Sequence, residues 1–425
     1  FVSSGPPKRA ASQTTSNSLL SLAKIFQDSM SSGGGGNSSF RYRSSGVGDI
    51  LALYYLSLAL QESPSTANNV GILLAGVQQG ATIPPGLRSC SRAQSSIPGV
   101  PPGSGLALAL SYYQYGLKLD PKHVHLHTNL GSLLKDLGQL DLAIQMYEQA
   151  VACDGTFDIA LTNLANAVKD KGRIKDAIMY YKRAVQSNPN FSEAVCGLST
   201  ALNSVCDWKG RGGVLLYSGR YDRWHVNEAG MLIDGRSHGC GSGLMNRVVT
   251  IARQQLQDAG PWGRNILNDD FVEKLLCYLR ALGGESTVGF ERALKSWKGQ
   301  PWEGTRVVRL LERATRAAMR KQYCAQYLSS RAYPRPSIEP PKVPFPTALS
   351  IPSAPTVLPF HTFTYPLGPR DIRMISQRNA MRISCSTLKS SWLPQASYTP
   401  PPPPAPHLNV GYVSSDFNNH PLAHL

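Results

Sequence analysis

A chain of 425 residues with 38 glycines, 31 prolines and 42% hydrophobic residues has room for two or three domains. Its composition is too loose for packing throughout, so part of it is expected to be linker. The longest apolar run, ILALYYLSLAL at 50–60, is about half of what a membrane span needs, and no charged segment followed by an apolar run opens the chain; the reading is a soluble protein without a signal peptide. The formal charge of +16 is uneven: residues 1–206 carry 16 Lys and Arg against 12 Asp and Glu, and residues 207–425 carry 27 against 15, a surplus of +12 in the second half. Spread among prolines and aromatics, that surplus reads as a solvated basic linker, and nucleic acid is not expected as a partner. The 8 cysteines include no C-x-x-C pair and read as free thiols in a reducing compartment.

In chain order, SLLSLAKIFQDSM at 18–30 and DILALYYLSLALQESP at 49–64 are expected to pair as helices A and B across a Gly/Ser loop, with Ala52, Ala59 and Pro64 at the small and terminal positions of B. ANNVGILLAGVQ from Ala67 and GLALALSYYQYGLKLDP from Gly105 form a second pair with a long insertion at its tip. Residues 124–157 and 158–191 then superpose without a gap at a period of 34, matching Leu130 with Leu164, Gly131 with Ala165, Ala143 with Ala177, Tyr147 with Tyr181 and Ala150 with Ala184. These are the core positions of the tetratricopeptide repeat, a helix hairpin in which small residues let two helices approach and a large aromatic fills the gap. Residues 192–206 supply a terminal helix A, so the solenoid is read over 16–206, as 16–66, 67–123, 124–157, 158–191 and 192–206.

Such solenoids bind protein segments along the A helices. Asn129 and Asn163 occupy one inward place on successive A helices, where an amide can donate to and accept from an extended peptide's backbone. The alternative is an asparagine that merely solvates its helix. The series is expected to break at Gly197, Ile72 and Ser21. HVHLH, with His123, His125 and His127, has one-turn spacing but no acidic or cysteine partner close by, and no metal site is expected there.

Residues 207–332 read as an insert-rich connector with helices at 242–259, 269–282 and 303–329, the last bearing basic residues taken as a solvated face. Residues 333–407 read as a Pro-rich linker with one short helix near 369–383. At 408–425, LNVGYV suits a buried strand, SSDFNN a turn, and HPLAHL a helix start with Pro421 in its first turn. The expected fold is therefore mainly α: a tetratricopeptide-repeat α-solenoid, a partly disordered helical and Pro-rich linker, and the first β-α unit of an α/β, Rossmann-like domain.

Repeats running into LSTALNSVCDW, then FHTFTYPL, then VGYVSSDFNNHPLAHL, resemble the protein O-GlcNAc transferase family. The resemblance covers most of 16–206 and the motifs near 206, 360 and 410, and is not continuous between them. It implies a repeat groove that recruits protein substrates, followed by two Rossmann-like domains holding UDP-GlcNAc, and inverting, metal-independent transfer of N-acetylglucosamine to Ser and Thr in nucleus and cytoplasm, with no cofactor. His420 matches the family's active-site histidine, expected to position the acceptor hydroxyl or take its proton. Asn129 and Asn163 match its peptide-binding asparagine ladder, and Gly197 departs from it. No donor-binding residue is assigned within the chain: those would lie beyond Leu425, so the isolated polypeptide is expected to be inactive. Pairing of copies through the repeats is compatible with this reading. A non-catalytic repeat scaffold and a related protein O-fucosyltransferase stay open as alternatives.

Overall fold

Apolar residues at three- and four-residue spacing make helices, not strands, of the first half of the chain. The structure, a computed structural model, describes residues 6–31, 46–76, 103–215, 224–234, 241–281, 288–328 and 349–390 with a few isolated positions. It divides into two compact units, one of residues 1–260 and 347–387, the other of 261–346 and 388–425. The connector read over 207–332 is thus not one body: its first part joins the solenoid.

In the first unit, α1 (Pro6–Ser31) pairs with α2 (Val47–Leu60), α3 (Pro64–Gly76) with α4 (Gly105–Leu119), α5 (Val124–Asp136) with α6 (Leu140–Cys153) and α7 (Asp158–Asp170) with α8 (Ile174–Ser187), and α9 (Ser192–Ser204) ends the row. Every B helix buries a tyrosine between two other inward residues: Ile50, Tyr54 and Ser57; Ala109, Tyr113 and Gly116; Ala143, Tyr147 and Ala150; Ala177, Tyr181 and Ala184. The turns from α5 to α6 and from α7 to α8 pass through Gly138 and Gly172 at φ +75° and +80°, a left-handed conformation that stops a helix cheaply only with glycine.

The expected register of α2 is corrected here. Ala52 and Ala59 are exposed, and the inward places belong to Ile50 and Ser57, two residues earlier. Ser57 fits because its Oγ donates to the Ser16 carbonyl at 3.0 Å while the Ser16 Oγ donates to the Ser57 carbonyl at 2.8 Å, so neither hydroxyl is buried unpaired. Pro64 does not close α2 but opens α3, where its missing N–H costs nothing.

Beyond α9, α10 (Gly243–Asp258) buries Met245, Val248, Val249 and Ala252 against Val195 and Cys196 of α9. In the second unit lie α11 (Asp269–Ala281), α12 (Val288–Trp297) and α13 (Glu303–Tyr323); α12 was not anticipated from the sequence. Glu303 is wholly buried, and its carboxylate accepts from the N–H groups of Asn265, Leu267 and Gly299 at 3.0, 2.8 and 2.7 Å, fastening two loops to the start of α13. The first unit resumes with α14 (Pro369–Lys389), longer than the helix expected over 369–383. Pairing of strand type is confined, among the described residues, to isolated bridges around Gly212, Gly213 and Val226. The β-α unit expected at 408–425 lies outside the described residues apart from Gly411.

The joint between α4 and α5 uses a titratable group. His123 caps α5 by accepting the Leu126 N–H on Nδ1 at 3.2 Å, and its Nε2 lies 3.3 Å from the Ser65 Oγ of α3. Burial, with His125 beside it, holds the imidazole below its ordinary value of 6.5, Asp120 opposing. A depressed folded-state value favours the neutral ring, so this cap is complete above 6.5 and is lost as the pH falls below that value. Thermal melts should therefore lose stability as the pH falls below 6.5, and His123→Asn, whose cap does not titrate, should flatten that part of the profile.

Candidate functional site

Four of the A helices, α3, α5, α7 and α9, form one continuous wall. α3 meets α5, α5 meets α7 and α7 meets α9, and no comparable contact joins two B helices among the described residues, so the row curves with the A helices inside. Burial follows one pattern along all four: Asn69, Asn129, Asn163 and Gly197 each stand half-buried, after three buried residues and before two more. The asparagine series therefore runs through Asn69, Asn129 and Asn163, and stops at Gly197.

Ile72 does not hold the place, contrary to the sequence reading. A Cβ on Gly71 would lie 2.3 Å from the Tyr113 ring, and one on Gly131 would lie 2.7 Å from the Tyr147 ring, so Gly71 and Gly131 are equivalent, and Asn69 matches Asn129. The signal was present in the sequence: Val70-Gly71 followed by a core tyrosine parallels Leu130-Gly131 and Tyr147. The Asn129 Nδ2 donates to Oδ1 of the buried Asn68 at 2.8 Å, which fixes its amide while leaving it further capacity. Asn163 is half-buried and makes no side-chain hydrogen bond among the described residues.

The break at Gly197 follows from packing. Ala165 stands where Gly131 does, and the Tyr181 ring lies instead against α9, where a Cβ on Gly197 would be 2.4 Å from it. The Tyr181 hydroxyl is held by Asn166, as the Tyr147 hydroxyl is held by Ser132 at 3.1 Å. An asparagine at 197 has no room while Ala165 is present.

The HVHLH histidines serve structure. His123 is the cap described above, His125 packs edge-on against Phe157 at 4.9 Å, and His127 reaches the Pro121 carbonyl at 2.9 Å. Among the described residues no group of three His, Cys, Asp or Glu could hold a metal ion, and no helix is long and apolar enough to cross a membrane.

The free side of α9 is covered by residues 349–387. Tyr365, Val357 and Ile375 pack on Val195, Cys196 and α10. The Tyr365 hydroxyl lies 3.3 Å from the Thr200 Oγ1, and the Asn203 Nδ2 donates to the Thr364 Oγ1 at 3.1 Å. Gln255 and Thr356 bond reciprocally, both at 2.9 Å, and the Thr356 Oγ1 also meets the Ser192 Oγ at 3.3 Å. Arg253 pairs with the buried Asp371 at 3.2 Å. Burial pushes the Cys196 thiol up to about 12 and brings the Arg378 guanidinium down to about 10, both marks of a dry seam.

Comparison with known proteins bears on both parts. Residues 124–155 and 159–191 match the tetratricopeptide repeat, and residues 348–425 match glycosyl transferase family 41. The chain joins tetratricopeptide repeats to a segment similar to glycosyl transferase family 41. That segment begins well before 408, within the stretch read as Pro-rich linker, and includes the residues packed on α9. A curated relative is the probable UDP-N-acetylglucosamine--peptide N-acetylglucosaminyltransferase SEC of Arabidopsis thaliana, 40% identical over 77 residues, which are 17% of this chain and 8% of the relative. The chain thus matches only a small part of that relative's length. Among solved structures, the Pseudomonas aeruginosa pilF protein is similar at a TM-score of 0.35 and 11% identity, covering 47% of this chain and 72% of its own. The first tetratricopeptide domain of Spaghetti (RPAP3), bound to an HSP90 peptide, is similar at 0.23 and 24% identity, covering 24% and 80%. Neither structural likeness is close enough to carry an argument. His420, in the N-H-P motif of the family 41 segment, lies outside the described residues.

The packing account of Gly197 can be checked by a double-mutant cycle. Gly197→Asn alone should destabilise the protein by about 1–3 kcal/mol in urea unfolding, and adding Ala165→Gly should recover more than half of that loss by letting Tyr181 move back toward α7.

Proposed function

We propose that this chain belongs to a protein O-GlcNAc transferase, an enzyme that moves N-acetylglucosamine from UDP-GlcNAc to Ser and Thr hydroxyls of proteins gripped by the repeat groove. The observation that carries the reading is the row Asn69, Asn129 and Asn163 at one register on an inner wall whose last helix is packed against the family 41 segment. Side-chain amides at equal steps can exchange hydrogen bonds with an extended backbone of any sequence, which suits an enzyme with many protein substrates. The same juxtaposition favours the enzyme over a scaffold that only binds. The identity to a relative named as a peptide N-acetylglucosaminyltransferase favours N-acetylglucosamine over fucose as the sugar.

His420, next to Pro421 in the turn of the family 41 segment, would position the acceptor hydroxyl or take its proton as the sugar is transferred. The reaction needs no cofactor on this reading, and its place would be the nucleus and cytoplasm.

Calorimetry with an extended, uncharged Ser/Thr-containing peptide should detect binding to the chain. The triple variant Asn69→Ala, Asn129→Ala, Asn163→Ala should weaken it by about 10- to 1000-fold with the helix content unchanged, at about 0.5–1.5 kcal/mol for each amide. Equal binding by the variant defeats the groove assignment. In a preparation carrying the whole family 41 domain, His420→Ala should cut transfer from UDP-GlcNAc by about 10²- to 10⁴-fold, and transfer from an activated fucose donor in its place would replace the proposed sugar.

A further inference from the structure

Part of the basic surplus of the second half is aligned on one helix. Along α13, Arg306, Arg309, Arg313, Arg316 and Arg320 follow each other at steps of three, four, three and four residues. At about 100° per residue these steps keep all five within an arc of about 80°, and at about 1.5 Å per residue they run for about 21 Å. Arg306, Arg313, Arg316 and Arg320 are exposed, Arg309 is half-buried, and Lys321 adds a further exposed charge at the end. The opposite arc carries Val307, Val308 and Leu311, all buried within the second unit. Little on the helix neutralises the arginines: of its two acids, Glu303 is buried and committed to backbone N–H groups, and Glu312 reaches Arg316 only at 3.8 Å. Arg306 lies 5.9 Å over the Trp297 ring, which steadies the first member of the row.

We propose that this arginine row is a docking surface for the phosphate backbone of double-stranded nucleic acid. Five of its six cations are arginine, whose planar fork matches phosphate oxygens two at a time, where a merely solubilising face could use lysine equally well. A duplex presents phosphates at about 3.4 Å per strand, so the row passes several on one strand, and a helix of about 10–12 Å diameter fits along or into the major groove. The arginine arc itself bears no aromatic side chain, so it offers no stacking platform for unpaired bases. The apolar face is turned into the protein and is not free to enter a bilayer in the manner of an amphipathic membrane helix. The sequence alone had suggested a diffuse basic linker; the structure aligns the charges.

Fluorescence anisotropy with a mixed-sequence DNA duplex of about 20 bp tests this on the full chain. Binding should weaken steeply from about 50 to 200 mM salt. The variant Arg313→Gln, Arg316→Gln, Arg320→Gln should bind at least about tenfold more weakly at the lower salt and lower the slope of log K against log salt by about 3. The variant Lys122→Gln, Lys175→Gln, Lys182→Gln removes the same charge from exposed sites on the solenoid and should bind as the parent does. Equal losses in both variants would reduce the effect to net charge and overturn the proposal. So would tighter binding to a polyglutamate peptide, to single-stranded DNA, or to phosphatidylserine vesicles than to the duplex. Circular dichroism on both variants confirms that the helices persist.

Discussion

A buried tyrosine needs an absent side chain opposite it, and the solenoid is organised around that need. Tyr113 lies in the space left by Gly71, Tyr147 in that left by Gly131, and Tyr181 in that left by Gly197. The first two openings are on the tyrosine's own hairpin and the third is on the following helix. A ring of this size fixes the separation and rotation of the two helices it touches, since interiors packed to crystal density do not absorb a misplaced methyl group. The half-buried inner position therefore recurs in step along α3, α5 and α7, and the asparagines there form a row. The asparagine row and the core packing lie on the same helices, so a shift in one carries the other with it.

The second joint is of a different kind. Where α9 would present a bare helix face, α10 and residues 349–387 cover it with an apolar centre and a border of paired polar groups: Arg253 with Asp371, Gln255 with Thr356, Thr356 with Ser192 and Asn203 with Thr364. Of these pairs, the one between Arg253 and Asp371 is the costliest to separate, because opening it leaves the buried Asp371 carboxylate without its partner. Solenoids need a polar-backed terminal unit, and here the family 41 segment supplies part of it.

How much could be read beforehand varied with the regularity of the chain. Residues 124–191 were legible down to single core positions because two copies align without a gap. Upstream, the helices could be found but not registered: the insertions remove the period, the alanines of ILALYYLSLAL suggested small core positions that Ile50 and Ser57 actually hold, and a slip of three residues hid Asn69 behind Ile72. α12 has ten residues and weak end signals and was missed. The contact between α9 and residues 349–387 joins segments more than 150 positions apart, and no local pattern announces such a partnership. The arginine row was seen as helical spacing, but only the placement of Val307, Val308 and Leu311 shows which way it faces.

The seam on α9 has a consequence for the segment that follows it. A catalytic segment joined to a recruiting domain by a floppy tether samples every residue within reach, at an effective concentration set by tether length. Here residues 349–387, the first part of the family 41 match, are fixed to the last helix of the wall, so on the proposed reading the catalytic part that follows would start from one set point relative to the asparagine row.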